Sequence, residues 1–469
     1  MIDIKFYPKI CEPYLKPWEY GMPNFYEGHY ALQWKKMSIK NKLNMLLKIK
    51  LSDRSDALHN SCLNYCLNLE TIENHNNYND GYYNIKSYTL HQIKNCTNLK
   101  CLEYMYNGLT TLKEIINCFN LININCSFNQ ISSLIPLKYC INLQTIDCSY
   151  NKIVSLYGLQ NCVNLKIIIC SSNRIVTLCG LEKCINLDTI NCSNNQIISL
   201  NGLQNCINLN EMLCSRNQIS SVHKIKNCIN LKYLICKLNK IASFDTLINC
   251  TSLKYIDCSF NQLTLLKGLE NCTLLKKIDC ISNKLASLIG LEHCTSLTNI
   301  DCCSNQLISL SGLENCTSLT DIDCCYNQLV SLNGLENCIS LTDIDCCHNQ
   351  LASLKGLENC TSLATLDCYT NQLTSLTGLE NCTLLRTLRC HDNLLMSIDG
   401  IQNCKRLLWL NCPNNRQILD HIYPGFHNDT ILLKNVNDSP PSFLTNFKNR
   451  ITYFFSTLSC SSDSNVVHD

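Results

Sequence analysis

The sequence predicts an α/β repeat solenoid, in which a curved parallel β-sheet lines the concave face and short 3₁₀ or helical segments return along the other side. Two observations support this prediction. Asparagine recurs at fifteen positions with an unbroken spacing of 22 residues, from Asn107 to Asn415. The same frame of apolar residues surrounds each asparagine, as between Leu319 and Cys338. Such a period indicates stacked units that bury their apolar faces against their neighbours.

The segment before each asparagine is predicted to be a short strand. Ile322 and Cys324 are two residues apart, so both side chains point into the core. Asp321, Asp323 and Cys325 then point outward, toward the concave face. Stacking of these strands produces the predicted sheet.

The recurring asparagine is predicted to form a structural ladder. It follows the strand where the chain turns inward, and its amide can satisfy backbone groups of its own coil and of the neighbouring coil. An alanine there would leave those groups unpaired. The predicted ladder comprises Asn129, Asn151, Asn173, Asn195, Asn217, Asn239, Asn261, Asn283, Asn305, Asn327, Asn349 and Asn371.

The return side of each coil continues the apolar filling. Leu329, Leu332 and Leu335 follow Asn327, and Gly334 allows a close backbone approach. The segment is too short for a long helix. We therefore expect 3₁₀ turns or helical pieces of one or two turns.

The frame L-x-x-L-x-[LC]-x-x-N-x-L at this period resembles the leucine-rich-repeat superfamily, specifically its 22-residue class. That class is seen in the regulatory subunit of type-1 protein phosphatase and in bacterial internalins. The resemblance covers roughly Cys96 to Asn415 and implies a protein-recognition function without identifying the partner. The near-identical, Asn-, Ile- and Lys-rich units also resemble repeat proteins of giant amoebal DNA viruses.

The repeat divides the chain into four predicted regions. Residues 1–61 match no repeat and are expected to form an N-terminal cap or a small appended domain. Residues 62–95 are interpreted as a divergent first repeat, with Asn77 in the ladder position thirty residues before Asn107. The regular array occupies 96–415. A C-terminal cap and a polar tail are expected in 416–469.

Composition excludes several classes of protein. Hydrophobic residues make up 46% of the chain and the net charge is +2, which does not fit a globally basic nucleic-acid binder. No apolar run approaches the ~18 residues of a membrane span. The first ten residues do not resemble an export signal. We therefore expect reduced thiols and a soluble intracellular protein, in the host cytoplasm if it is viral.

Most of the 38 cysteines fall in two columns of the repeat. One column lies three residues before the ladder asparagine and the other lies on the return side, and both are interpreted as buried, protonated apolar residues. Cys303, Cys325 and Cys347 differ, since each follows a core cysteine directly in an Asp-Cys-Cys unit. They are predicted to be exposed to solvent. A soft-metal or redox site and recent duplication of one repeat are the alternatives.

An acidic column is the main candidate for partner binding. Aspartate occupies the same outward strand position in six successive repeats, and two further aspartates lie beside this row. Residues 250–369 contain six basic and thirteen acidic residues, which gives a formal charge of −7. Residues 138–249 contain eleven basic and five acidic residues, which gives +6. A basic partner or bound cations could neutralise the row, or the aspartates could hydrogen-bond within the sheet. The predicted partner-binding residues are Asp257, Asp279, Asp301, Asp321, Asp323, Asp343, Asp345, Asp367, Tyr326 and His348.

The basic half presents apolar residues in the same outward column. Ile169, Leu213 and Ile235 replace the aspartate there, with Tyr233 and Tyr255 nearby. They predict either a contact patch or lateral packing within the face.

No nucleotide-binding, metalloprotease or nucleophile-elbow motif is present in the sequence. We assign no catalytic, cofactor-binding or metal-ligating residue, and predict a non-catalytic scaffold that binds a protein, with a basic protein as the candidate partner, and that binds neither nucleic acid nor membrane. The alternatives are a regulatory or targeting subunit of an enzyme such as a protein phosphatase, and a metal-binding structural repeat protein. The partner and the oligomeric state stay open.

Overall fold

A computed structural model describes residues 48–51, 69–75, 90–415 and 431–432, which form one 18-stranded sheet. From β1 to β17 each strand pairs in parallel with the next, and β18 pairs antiparallel with β17. The strands are β1 (Lys48–Leu51), β2 (Thr71–His75), β3 (Cys101–Met105), β4 (Asn123–Asn125), β5 (Thr145–Asp147), β6 (Ile167–Ile169), β7 (Thr189–Asn191), β8 (Glu211–Leu213), β9 (Tyr233–Ile235), β10 (Tyr255–Asp257), β11 (Lys277–Asp279), β12 (Asn299–Asp301), β13 (Asp321–Asp323), β14 (Asp343–Asp345), β15 (Thr365–Asp367), β16 (Thr387–Arg389), β17 (Trp409–Asn411) and β18 (Ile431–Leu432).

The predicted solenoid with a parallel sheet is confirmed. Equivalent residues of successive coils face each other across the sheet, as Asp321 faces Asp343. The return side consists of turns and short 3₁₀ segments, and the described residues contain no helix long and apolar enough to cross a membrane. The 3₁₀ segments are His91–Asn95, Lys113–Asn117, Ile135–Tyr139, His223–Ile225 and Asp245–Leu247.

One continuous apolar core runs through the array. In the coils from β4 to β17 the central strand residue and the following cysteine are buried, as are Ile322 and Cys324, and return-side apolar residues such as Leu329 and Leu332 are buried with them. The return-side cysteines also lie in this core, where each thiol approaches a carbonyl of the preceding coil; Cys338 Sγ lies 3.5 Å from the Leu313 oxygen. Burial raises the pKa of the thiols in both columns, so they stay protonated. This agrees with their interpretation as small apolar residues.

The asparagine side chains link successive coils. Asn327 Nδ2 donates to the carbonyl of Cys324 in its own coil at 3.1 Å and to that of Cys302 in the preceding coil at 3.1 Å. Its Oδ1 accepts from the backbone N–H of Leu307 at 3.0 Å. One amide therefore satisfies backbone groups that the strand and the turn leave unpaired.

A left-handed residue precedes every ladder asparagine in the array. Tyr326 has φ 53°, and the equivalent residue of each described coil from 106 to 414 has a φ between 51° and 58°. None of these residues is glycine, so the conformation is unfavourable for most of them. The hydrogen bonds around it hold it in place, including the one from the Tyr326 N–H to the Cys347 carbonyl at 3.1 Å.

Glycine recurs on the return side of most coils at the position of Gly334, and we call these residues the glycine column. The glycine column decides the form of the return segment. Gly334 has φ 109°, and a Cβ built there would lie 2.6 Å from the Leu310 carbonyl oxygen of the preceding coil. Lys224 and Thr246 occupy the same position in their coils, and both lie in 3₁₀ segments. Glycine therefore gives the tight turn, and its replacement gives a helical turn.

Strands continue the sheet beyond the regular array at both ends. β1 lies inside the segment 1–61, where no repeat was predicted, and pairs in register with β2. β2 pairs with β3, whose equivalent residues lie thirty positions further along the chain, and the interpretation of 62–95 as a divergent first repeat stays a prediction. Sheet extension needs only backbone hydrogen bonds, so it does not require the repeat consensus. Asn77 and the rest of the predicted caps lie outside the described residues.

Replacing Asn327 with alanine should lower the free energy of unfolding by ~1 to 3 kcal/mol, because it orphans buried backbone groups. Asn337→Ala is the matched control, since Asn337 Nδ2 makes a single exposed hydrogen bond, to the Glu314 carbonyl at 3.1 Å. Chemical denaturation measures both variants. Equal losses from the two would contradict the ladder account.

Gly334→Ala should destabilise the protein by about 1 to 3 kcal/mol, because alanine is strained at this φ and its Cβ meets backbone. Lys224→Ala, at the same position of a coil with a 3₁₀ segment, should change stability by no more than about 0.5 kcal/mol. Thermal denaturation checks the pair. A harmless Gly334→Ala would show that the turn does not require glycine.

Candidate functional site

The aspartate column lies on the outward face of the sheet, which we call the sheet face, but much of it is shielded. Asp257, Asp301, Asp345 and Asp367 are only 2–7% exposed, although they occupy the outward strand position. Asp279 and Asp323 are half-buried. The three-residue strands stack so closely that each side chain is covered by the equivalent side chains of the adjacent coils.

Local hydrogen bonds account for part of this column. The Cys347 N–H donates to Asp345 Oδ1 at 3.1 Å, and the Ser149 N–H donates to Asp147 Oδ1 at 2.9 Å. A side-chain oxygen that accepts from the backbone two residues ahead stabilises a turn. These aspartates therefore stabilise the turn that follows their own strand.

Basic side chains compensate the column near its two ends. The Lys237 Nζ lies 3.8 Å from Asp257 Oδ2, and the Lys277 Nζ lies 3.3 Å from Asp279 Oδ2. At the other end Arg389 Nη1 donates to Asp367 Oδ2 at 2.5 Å. The aspartates at the ends are therefore partly neutralised.

The middle of the column forms an acidic patch on β13 and β14, composed of Asp321, Asp323, Asp343 and Asp345. Both strands have the sequence Asp-Ile-Asp, and Asp321 and Asp343 are half-buried neighbours across the sheet. Within the described part of the chain, no lysine or arginine forms a salt bridge with Asp321, Asp343 or Asp345. Burial, together with Asp323 and Asp367, raises the pKa of Asp345.

An aromatic row borders the acidic patch. Tyr326 is 51% exposed and stacks on His348 with a centroid separation of 4.2 Å. His348 meets Tyr369 edge-on at 5.4 Å, and Tyr369 stacks on His391 at 4.4 Å. Burial lowers the pKa of both histidines, which favours the neutral rings. Sequence reasoning did not identify Tyr369, although it lies two residues before a ladder asparagine.

The prediction that Cys303, Cys325 and Cys347 are exposed is wrong. Their exposed fractions are 7%, 7% and 0%, and Ile281 and Tyr369 pack against them. The residue after each cysteine takes the left-handed conformation, and the bend leaves the thiols against one another along the sheet face. Strand alternation, on which the prediction rested, does not apply beyond the end of the strand.

The apolar residues of the basic half favour lateral packing. Ile169, Leu213 and Ile235 are half-buried, and Leu213 lies beside Ile235 across the sheet. A more exposed apolar ridge lies on the return side, where sequence reasoning did not look for one. Its members directly follow the return-side cysteine in six consecutive coils and are 40–53% exposed: Phe119, Ile141, Val163, Ile185, Ile207 and Ile229.

A second asparagine ladder runs along the return side. Asn315 Nδ2 donates to the Glu292 carbonyl of the preceding coil at 3.1 Å, and Asn359 donates to that of Glu336 at 3.0 Å. These asparagines begin the Asn-Cys-[Ser/Thr] triplets of the sequence. Their recurrence is therefore explained by coil-to-coil hydrogen bonding.

The parallel sheet, the 22-residue coil and the buried asparagine ladder define a solenoid built from structural repeats. Residues 339–381 match the family described as leucine-rich repeats, in two copies. The chain has a leucine-rich-repeat solenoid fold. Comparison with curated protein sequences gives no match.

Solved leucine-rich-repeat structures share the fold. A leucine-rich-repeat protein of Leptospira interrogans is 24% identical with a TM-score of 0.59, and the match covers 68% of this chain and 85% of that one. The functional domain of InlJ from Listeria monocytogenes, which includes a cysteine ladder, is 22% identical with a TM-score of 0.60 and coverages of 76% and 75%. The ectodomain of the plant receptor kinase GASSHO1/SCHENGEN3 from Arabidopsis thaliana, in complex with CASPARIAN STRIP INTEGRITY FACTOR 2, is 23% identical with a TM-score of 0.61 and coverages of 76% and 45%.

Asp257→Asn should raise the stability of the protein at neutral pH and change it little near pH 3. Burial is the main cause that raises the pKa of Asp257 in the folded state, so the ionised carboxylate opposes folding. The protonated Asp257 carboxyl makes its full contribution to the stability of the folded state below the unfolded-state pKa of about 3.9. This contribution is lost as the pH rises through the pKa of Asp257 in the folded state. Denaturation midpoints of both proteins at the two pH values measure the effect. A variant less stable at neutral pH would contradict it.

Proposed function

We propose that the protein is a non-catalytic binding scaffold and that the acidic patch on its sheet face recognises a basic protein surface. The observation that carries this proposal is the adjacency of the half-buried Asp321 and Asp343 on β13 and β14, at the centre of the acidic patch. The aspartates at either end of the column have basic neighbours, whereas among the described residues no lysine or arginine forms a salt bridge with Asp321 or Asp343. A basic partner would relieve the repulsion among these carboxylates.

The surroundings of the acidic patch support a role in recognition. The half-exposed ring of Tyr326 lies beside the carboxylates and stacks on the ring of His348. An aromatic ring next to carboxylates suits lysine and arginine side chains, which pair with the charge and lie on the ring face. The fold holds this surface rigidly, since every residue of it belongs to a strand or adjoins a ladder asparagine.

The structural comparisons support a binding function of this general kind. The plant receptor ectodomain that shares the fold is seen in complex with CASPARIAN STRIP INTEGRITY FACTOR 2. Another structural neighbour, the receptor kinase HAESA, is seen with a peptide hormone and a co-receptor. We extend protein or peptide binding to this chain as part of the proposal.

We further propose that the protein works in a reducing, intracellular compartment. The described cysteines are all free thiols, and the two core columns pack as apolar residues. An array of this kind needs no cross-link to bury its core.

The double substitution Asp321→Asn/Asp343→Asn should weaken binding of an oligolysine peptide by about 2- to 30-fold, because each exposed ion pair contributes ~0.2 to 1 kcal/mol. Asparagine keeps the shape of the side chain and removes its charge. Fluorescence anisotropy with a labelled peptide at low and at physiological salt provides the affinities. Binding to the unsubstituted protein should fall as salt rises.

The matched control is Asp188→Asn/Asp245→Asn, which removes the same charge from two exposed sites outside the acidic patch. This variant should bind nearly as well as the unsubstituted protein. If both double variants bind the peptide equally, the acidic patch is not the recognition surface.

A further inference from the structure

The thiols of Cys303, Cys325 and Cys347 are not required by the fold. Other coils place serine at the same position, two residues before the ladder asparagine: Ser127, Ser149, Ser171, Ser193, Ser215 and Ser259. In both kinds of coil the backbone N–H of this residue donates to a side chain two residues earlier, as Ser149 does to Asp147 and Cys347 does to Asp345. The turn therefore depends on the backbone N–H and tolerates a hydroxyl in place of the thiol.

The three thiols nevertheless converge, together with two carboxylates, in what we call the thiol cluster: Cys303, Cys325, Cys347, Asp323 and Asp345. The sulfur atoms of Cys303 and Cys325 lie 2.8 Å apart, and the Cys303 thiol also hydrogen-bonds the Asp323 carboxylate. Two triads share Cys325. The first triad consists of Cys303, Asp323 and Cys325, and the second consists of Cys325, Asp345 and Cys347. Within each triad the possible ligand atoms lie within 4.8 Å of one another.

The surroundings of the thiol cluster would favour a bound cation. The three thiols and Asp345 are buried, and Ile281 and Tyr369 pack against the thiols, so ionised forms of these groups are poorly solvated. A cation would offset the cost of ionising these groups together.

The ligand types select the class of cation. Zinc(II) accepts thiolate sulfur at about 2.3 Å and carboxylate oxygen at about 2.0–2.2 Å, whereas magnesium and calcium prefer oxygen alone and copper(I) prefers sulfur alone. Two sulfur ligands of a tetrahedral zinc ion lie about 3.8 Å apart. The sulfur atoms of Cys303 and Cys325 are closer than this, at 2.8 Å, so a bound ion would move them apart by about 1 Å.

We propose that the thiol cluster binds zinc(II), with Cys325 as the central ligand. In either triad the ion forms bonds to two sulfurs and one carboxylate oxygen, and water completes the tetrahedron. The two thiol protons leave to solvent, and no oxidation or reduction takes place. Because Cys325 belongs to both triads, its loss disables both, whereas loss of Cys303 or Cys347 leaves one triad intact.

The test uses the full chain, reduced and stripped with chelator, and titrated with cobalt(II) as a spectroscopic substitute for zinc. The expected result is a thiolate-to-cobalt charge-transfer band that zinc abolishes, with release of about two protons per ion bound. Cys325→Ser should weaken cobalt binding by about tenfold or more, since even the loss of a group that supports a ligand costs 10- to 100-fold. Cys303→Ser and Cys347→Ser should each retain a thiolate–cobalt band.

Two controls separate loss of the site from loss of the fold. Cys179→Ser removes a half-buried thiol from a coil outside the cluster and should bind cobalt like the unsubstituted protein. Metal-free Cys325→Ser should melt at the same temperature as the metal-free unsubstituted protein, because serine is the residue that other coils use there. Zinc should raise the melting temperature of the unsubstituted protein and not that of Cys325→Ser.

Three results would overturn the proposal. One is a cobalt spectrum without thiolate charge transfer, and another is the same cobalt affinity for Cys325→Ser and Cys179→Ser. The third is a disulfide between Cys303 and Cys325, found by mass spectrometry in protein isolated with reductant, which would make the cluster a redox pair.

Discussion

The structure depends on one constraint: every coil must satisfy backbone groups that its three-residue strand leaves unpaired. Each short strand is followed by a left-handed residue, and the chain then turns into the core, where water cannot supply hydrogen bonds. The ladder asparagine solves this problem with four hydrogen bonds, two of which reach the preceding coil. The same side chain thus holds the turn and sets the spacing between coils.

This spacing determines what the surface can do. Because coils stack in register, any residue type repeated in the sequence becomes a continuous row on the molecule. The acidic patch, the aromatic row, the thiol cluster and the apolar ridge are all rows of this kind. The functional proposals therefore rest on the same register that stabilises the fold, and the acidic patch and the thiol cluster share Asp323 and Asp345.

The sequence predicted the fold well because each structural requirement recurs fifteen times. The 22-residue period, the asparagine position and the inward alternation of Ile322 and Cys324 follow directly from strand geometry and backbone hydrogen bonding. The glycine column was also predictable in outline. The sequence does not reveal that a 3₁₀ segment replaces the glycine turn at Lys224 and Thr246. This becomes clear only when the close backbone approach at Gly334 is measured in the structure.

The candidate site was less predictable for two physical reasons. Strand alternation predicts whether a side chain faces the core or the sheet face, but it does not measure how much neighbouring coils cover that face, so the burial of Asp345 and Asp367 was missed. Alternation also ends with the strand. The left-handed residue that follows Cys325 buries its thiol, and only the assembled coils reveal that the thiols converge.

Residue-resolved hydrogen exchange on the unmodified protein tests the central claim, that side-chain amides tie each coil to the next, most directly. The backbone N–H groups of Leu307 and Leu329 lie outside the strands and are bonded to the side chains of Asn327 and Asn349 at 3.0 Å. The ladder account predicts that these two amides exchange as slowly as those of the adjacent strands. Exchange as fast as that of exposed turn amides would contradict it, because the ladder would then not hold the coils together.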